Sequence, residues 1–200
     1  SMKFQAGDAT DTALCIALQH EFLRCEDAFN DFASSAKIMI ARGENLRVAY
    51  RTYNAYSRFI HHLYEFMMGA VTRDRKNTEQ MKSDMADRYI ASEMQRILTN
   101  RREAILNGTA PAWENHISVY PENVPENFAS DFRRYRNTTI GHVKYERANL
   151  NLSDFYNRYH LYLHMLYQEV RNWWGRLPNG FPDLKEITAF SVLVKDESLP

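Results

Sequence analysis

Cysteine, glycine and proline are all scarce in this 200-residue chain, and no apolar run approaches the ~20 residues that span a membrane. With 7 glycines and 6 prolines, the chain lacks the punctuation of an all-β fold built on many tight turns. The two cysteines, Cys15 and Cys25, stand ten positions apart. On one helix that spacing is about 15 Å along the axis, far beyond the roughly 7 Å Cα separation a disulfide tolerates. They read as small apolar residues of a reducing compartment. Charge of one sign is also missing: 25 basic residues balance 25 acidic ones. That excludes a protein that coats nucleic acid with its whole surface, so any polyanion site must be a local patch. Ser1-Met2-Lys3 begins no signal-peptide core, and the expected location is cytoplasmic, with no membrane association.

What the chain has in quantity is aromatic residues and helical periodicity. Its 44% hydrophobic content suits one domain with a sizeable core, and its 12 tyrosines, 11 phenylalanines and 3 tryptophans can fill the spaces between long helices. Leu14, Leu18, Phe22, Cys25, Phe29, Phe32 and Ala36 share one face of a helix over residues 11–38. Leu46, Ala49, Tyr53, Tyr56, Ile60, Leu63, Met67 and Ala70 form a near-heptad seam over 44–71. A third helix is expected over 78–106, opened by a capping-box-like Asn77 and Gln80 and stopped at Gly108. Between the second and third, Arg73, Asp74, Arg75 and Lys76 read as a solvated turn.

Residues 108–124 form one long connection, too rich in Trp113, His116 and Tyr120 to be a disordered linker, so it should pack on the bundle. A fourth helix starts near Pro125, with Phe128, Phe132 and Tyr135 inward. A fifth covers 153–174, its tyrosine stripe reading as core rather than as a base-stacking platform. The segment 187–194, within a tail of about 182–200, reads as a short strand or an extended piece lying on the bundle. The expectation is an all-α fold: a single domain over 1–200, a bundle of about five main helices.

On that scaffold sits one polar cluster, Arg136-Asn137-Thr138-Thr139-Ile140-Gly141-His142. It holds what metal-free RNA cleavage needs. A histidine moves protons near neutral pH, and an arginine fork holds a phosphate. RNA brings its own nucleophile, the 2′-hydroxyl, so the chemistry asks for no metal and no cofactor. Arg136 would stabilise the charge that develops at phosphorus, Asn137 would fix the histidine or a phosphate oxygen, and His142 would shuttle the proton. Arg133, Arg134, Thr138, Thr139, Lys144 and Arg147 would contact the RNA around them. Gly141 leaves room beside His142 for close approach.

Arg136 and His142 enclose five residues, with Asn137 directly after the arginine. This resembles the hallmark Arg-x(4–6)-His of the HEPN superfamily, in which Asn, Asp or His often follows the arginine. The motif carries the resemblance; the helical chain around it, residues 11–175, is compatible with it. The resemblance implies a HEPN-like helical bundle, a homodimer that brings two motifs together, and often metal-independent ribonuclease activity. The products of such cleavage are 2′,3′-cyclic phosphate ends. Members commonly serve as toxins, in abortive infection or in other antiviral defence. One subgroup carries His-x-Tyr, its tyrosine modified by a partner antitoxin. Here Tyr145 stands one place later than that pattern.

Two other readings fit the same residues. The first alternative is a non-catalytic HEPN module that binds RNA or protein. From another class, a helical antitoxin or immunity-like protein would only occupy a regulatory partner. Arg136 itself has a bland alternative, an ion pair with Glu126, Asp131 or Glu146. His160 and His164, four apart on one helical face, match a two-imidazole metal pair, but partly buried packing is the expected role. His61 and His62 point in different directions on a helix and cannot chelate together; a solvent or core role is expected for them, with a place for one of them near the cleft as the alternative.

Overall fold

A computed structural model describes residues 2–114, 116–141, 145–174 and 185–196. Six α-helices account for most of them, with no strand among the described residues: α1 Ala9–Arg42, α2 Leu46–Arg75, α3 Ser83–Leu106, α4 Phe128–Arg136, α5 Leu152–Trp174 and α6 Lys185–Asp196. No helix among the described residues is long and apolar enough to cross a membrane.

α1 and α2 form a long helical hairpin and make the most extensive contact in the fold. Asp8 caps α1, its carboxylate accepting from the Asp11 amide at 2.9 Å. Asn45 caps α2, accepting from the amides of Arg47 and Val48 at 2.9 and 3.2 Å. The helices approach closely because Gly69 has no side chain: a Cβ there would stand 2.7 Å from Leu18 Cδ2. Leu18, Phe22, Cys25, Tyr56, Ile60, Leu63 and Met67 are buried as their periodicity predicts. The first turns of α2 behave otherwise. Leu46 is 88% exposed, and Tyr50, Tyr53, Ile38 and Ile40, on either side of the α1–α2 turn, are exposed as well. Both cysteines are free thiols; Cys25 is fully buried, and burial raises its pKa.

α3, α4 and α5 close the core with Met94, Leu98, Phe128, Phe132, Phe155, Tyr159 and Leu163. The α5 tyrosines are core residues: Tyr159, Tyr162 and Tyr167 are buried, and the Tyr159 hydroxyl donates to Asp131 at 2.6 Å. Gly108 ends α3 with a positive φ of 68°, as its place in the sequence predicts. In the following connection Tyr120 is buried and receives a bond from Arg101 at 3.3 Å, whereas Trp113 is 78% exposed.

Three sequence expectations are corrected. α3 begins at Ser83 rather than at 78, because residues 76–78 are drawn toward the N-terminus. The Phe4 amide donates to Lys76 O at 3.0 Å and the Thr78 amide to Met2 O at 2.9 Å. Asn77 still accepts from the Glu79 amide at 2.9 Å, but as a turn rather than a helix cap. Second, residues 73–75 are the last helical turn of α2 rather than a separate turn; Arg73, Asp74 and Lys76 are solvated as expected, and Arg73 is tied at 2.8 Å to the buried carboxylate of Asp11. Third, the tail is neither strand nor extended over 185–196: it is α6, its described side chains exposed. Its β-branched residues favour a strand only where a neighbouring strand exists to pair with. Ile187, Phe190 and Val194 instead share a helical spacing.

Candidate functional site

The motif follows directly from the packing of α4. Phe128, Phe132 and Tyr135 turn one side of this nine-residue helix into the core, which leaves Arg136 at its last turn beside α2. Residues Asn137–Gly141 then continue as a π-helical turn, a wider winding frequently found at functional positions. The Thr138 and Thr139 hydroxyls bond back one turn, donating to the carbonyls of Arg134 and Tyr135 at 2.8 and 2.7 Å, a pattern that accompanies bent helices. Their donors are thus spent on the backbone, while their oxygens can still accept.

Arg136 is held from three sides. Its Nε donates to Glu65 Oε1 at 2.5 Å, and Nη2 lies against the same carboxylate oxygen. Nη1 donates to Asn137 Oδ1 at 2.6 Å. The guanidinium lies 5.5 Å from the centre of the Tyr64 ring. Its partner is therefore Glu65 of α2, not Glu126, Asp131 or Glu146, which are nearer in sequence. Arg136, Asn137, Tyr64 and Glu65 line one side of an open groove of about 450 Å³, with residues 78–81 across from them. His61, one turn before Glu65, is within electrostatic reach of both Glu65 and Arg136. Burial, then His62, pushes its pKa below the usual histidine range, and its Nδ1 is buried without a hydrogen-bond partner. His62 turns to Glu21 of α1 at 2.6 Å.

The other residues expected around the RNA take varied positions. Arg133 places its fork on Asp87 of α3, at 2.8 and 2.9 Å, which ties α4 to α3. Arg134 is exposed, 3.2 Å from Asp131 and over the Tyr135 ring at 5.4 Å. Arg147 donates to Thr138 O at 3.3 Å, joining the 3₁₀ turn Tyr145–Asn149 to the motif turn. Tyr145 is 82% exposed. His142 and Lys144 lie outside the described residues.

His160 and His164 are packing residues. His160 Nδ1 meets the Tyr56 hydroxyl at 3.0 Å, and its ring stacks on Tyr156 at 4.3 Å. His164 stacks against Phe29 at 5.7 Å. Among the described residues no group of three His, Cys, Asp or Glu side chains is placed to hold a metal ion.

Sequence reasoning missed Glu65 and Tyr64, and left open which of His61 and His62 lies near the motif. Helical spacing puts all of them in α2, but nothing in the sequence says that this part of α2 meets the end of α4. No protein-family model matches the chain, and neither a curated protein nor a solved structure does.

Proposed function

We propose that the protein is a metal-independent endoribonuclease of HEPN type, acting in toxin or antiviral-defence fashion as a homodimer. The observation that carries this reading is the fixed guanidinium of Arg136. Glu65, Asn137 and Tyr64 orient it at the edge of an open groove, and His142 follows six positions later in the sequence. An oriented fork is what a phosphoryl transition state requires, since catalysis there is mostly positioning and charge stabilisation.

In the reaction the 2′-hydroxyl oxygen attacks the adjacent phosphorus, and its proton goes to a neutral histidine. The bond from phosphorus to the 5′-oxygen breaks, and that oxygen takes a proton from a second, protonated histidine. The products are a 2′,3′-cyclic phosphate and a 5′-hydroxyl. One His142 from each subunit supplies the two roles, while Arg136 bears on the non-bridging oxygens. The exposed apolar tip of the α1–α2 hairpin, with Ile40, Leu46 and Tyr50, is surface available for such a partner.

The deciding experiment incubates purified protein with RNA in EDTA, beside Arg136→Ala and His142→Ala. Cleavage by the wild type alone, leaving cyclic phosphate ends, supports the reading. Cleavage that needs a divalent ion and leaves 5′-phosphates rejects it. The pairing of Arg136 with Glu65 favours a second reading, because a guanidinium already neutralised has less to offer a phosphate. In that reading the chain is a non-catalytic HEPN module that binds RNA or a regulatory protein, and RNA crosslinks without turnover. A helical antitoxin-like protein would do neither.

A further inference from the structure

The motif turn has a second depression on its other side. It occupies about 760 Å³ between the second half of α1 and the first half of α2, and Thr139, Ile140 and Arg147 close one end. That volume is in the range of small-ligand sites.

Its chemistry is specific. Arg51 and Arg58 line it beside Asp31, and Arg147, which already bonds Thr138 O, is a third guanidinium among its described lining residues. Asp31 takes one bond from Arg58 at 3.0 Å. In a chain of zero net charge this is a local positive excess of the kind that attracts phosphate. Asn54 adds an amide with both donors and an acceptor, and Ile38 adds an apolar wall.

The cleft also holds an unmet demand. Ser57 is 3% exposed, and its hydroxyl has no hydrogen-bond partner. Elsewhere in α2, Thr52 and Thr72 satisfy theirs on the carbonyls one turn back, at 2.8 and 2.9 Å. A buried hydroxyl left unpaired destabilises the fold that holds it. Such a group at a cleft wall calls for a partner, and a polar ligand seated in the cleft would supply one.

We propose that this cleft is a nucleotide subsite for single-stranded RNA, seating the nucleotide next to the cleaved phosphate. Arg51 meets that nucleotide's phosphate, Asn54 and Ser57 meet its polar edge or 2′-hydroxyl, and Ile38 lies against its base. The proposal rests on the ribonuclease reading. The RNA then runs from the Arg136 groove, over the motif turn, into the cleft, since Thr139 and Ile140 belong to both the turn and the wall.

The test uses the full chain with a fluorescent single-stranded RNA, read by anisotropy and by steady-state cleavage, in wild type, Arg51→Ala, Ser57→Ala and Arg136→Ala. Arg51→Ala and Ser57→Ala should each weaken RNA binding about tenfold, the worth of one polar contact, and should raise KM more than they lower kcat. Arg136→Ala should do the reverse. Ser57→Ala should also melt at or above the wild-type temperature, because it removes an unpaired buried hydroxyl; a serine outside the subsite would leave affinity alone, and a lowered melting point beside weaker binding would trace the loss to the fold and overturn its role. Unchanged affinity in both cleft variants, with cleavage intact, overturns the subsite and leaves the ribonuclease standing. If the wild type binds RNA but never cuts it, the ribonuclease reading fails. The same anisotropy series then still decides whether the cleft holds a nucleotide of the bound strand. Binding of free AMP with no binding of RNA overturns the subsite in favour of a small-molecule site.

Discussion

At the scale of single residues, activity and stability should separate cleanly around Arg136. Its ion pair with Glu65 is about one-third exposed on both sides, so it contributes on the order of 0–1 kcal/mol to folding, with a comparable amount from the Tyr64 ring. Arg136→Ala should therefore lower cleavage by about a hundredfold or more, as loss of a positioned oxyanion donor does, while circular dichroism shows a nearly unchanged melt. Glu65→Ala should reduce kcat with little effect on KM, and Glu65→Gln should restore part of it by keeping an acceptor on Nε. A rise in activity on removing Glu65 would instead identify it as a brake on the arginine.

His160 gives a second test. Burial first, and His164 second, push its pKa down to about 4, whereas an unfolded histidine titrates near 6.5. Between these values the unfolded chain binds a proton that the folded chain refuses. Stability is thus complete above about pH 6.5, falls as pH drops toward about 4, and levels off below. His61 and His164 are shifted the same way and share the slope. In His160→Gln the melting temperature should depend less steeply on pH across this window; an identical slope would show that His160 does not titrate as inferred.

At the scale of elements, the position of the site depends on how α4 is gripped. Phe132 is fully buried and meets Tyr64 edge-on at 5.1 Å. Phe132→Ala should cost roughly 3–5 kcal/mol by leaving a cavity, and Leu63→Ala roughly 2–5 kcal/mol, both read by urea denaturation. Gly69→Ala should change stability by no more than about 1 kcal/mol: the new methyl, 2.7 Å from Leu18 Cδ2, displaces only the end of a side chain that borders an open cavity, and alanine gains about 1 kcal/mol of helix propensity over glycine. Arg133 and Asp87 should show a positive coupling in a double-mutant cycle on stability, since their two-pronged bond joins α4 to α3. If that cycle reports no coupling but RNA binding falls with Arg133→Ala, Arg133 belongs to the RNA rim and not to the frame.

At the scale of the whole molecule, the proposed chemistry requires two histidines, and a single chain supplies one motif. Light scattering should find a dimer at micromolar concentration; a strict monomer that still cleaves would remove the composite site. The cleavage rate should follow a bell-shaped pH profile, because one histidine must be neutral while the other is protonated. RNA with a 2′-deoxy residue at the scissile position, and all DNA, should resist cutting. Raised salt should weaken RNA binding through loss of the arginine–phosphate contacts.

The sequence by itself determined the all-α class, the buried faces of α1, α2, α4 and α5, and the motif at the end of α4. Each of these is set by short-range periodicity: Leu18, Phe22 and Cys25, or Phe128, Phe132 and Tyr135, announce a buried face without knowledge of what covers it. It did not determine where α3 begins, since residues 76–78 pair with residues 2–4 across the fold. Nor did it determine the helical state of residues 185–196, where β-branched composition outweighed a helical stripe. Only the tertiary structure decided the partners of the motif. Glu65 stands 71 positions from Arg136 in sequence, and Ser57 and Arg51 meet Thr139 and Ile140 at one cleft. These contacts exist because α2 packs against α4 and the turn after it. That packing is selected by the sum of many apolar contacts spread over the chain, which no local pattern encodes.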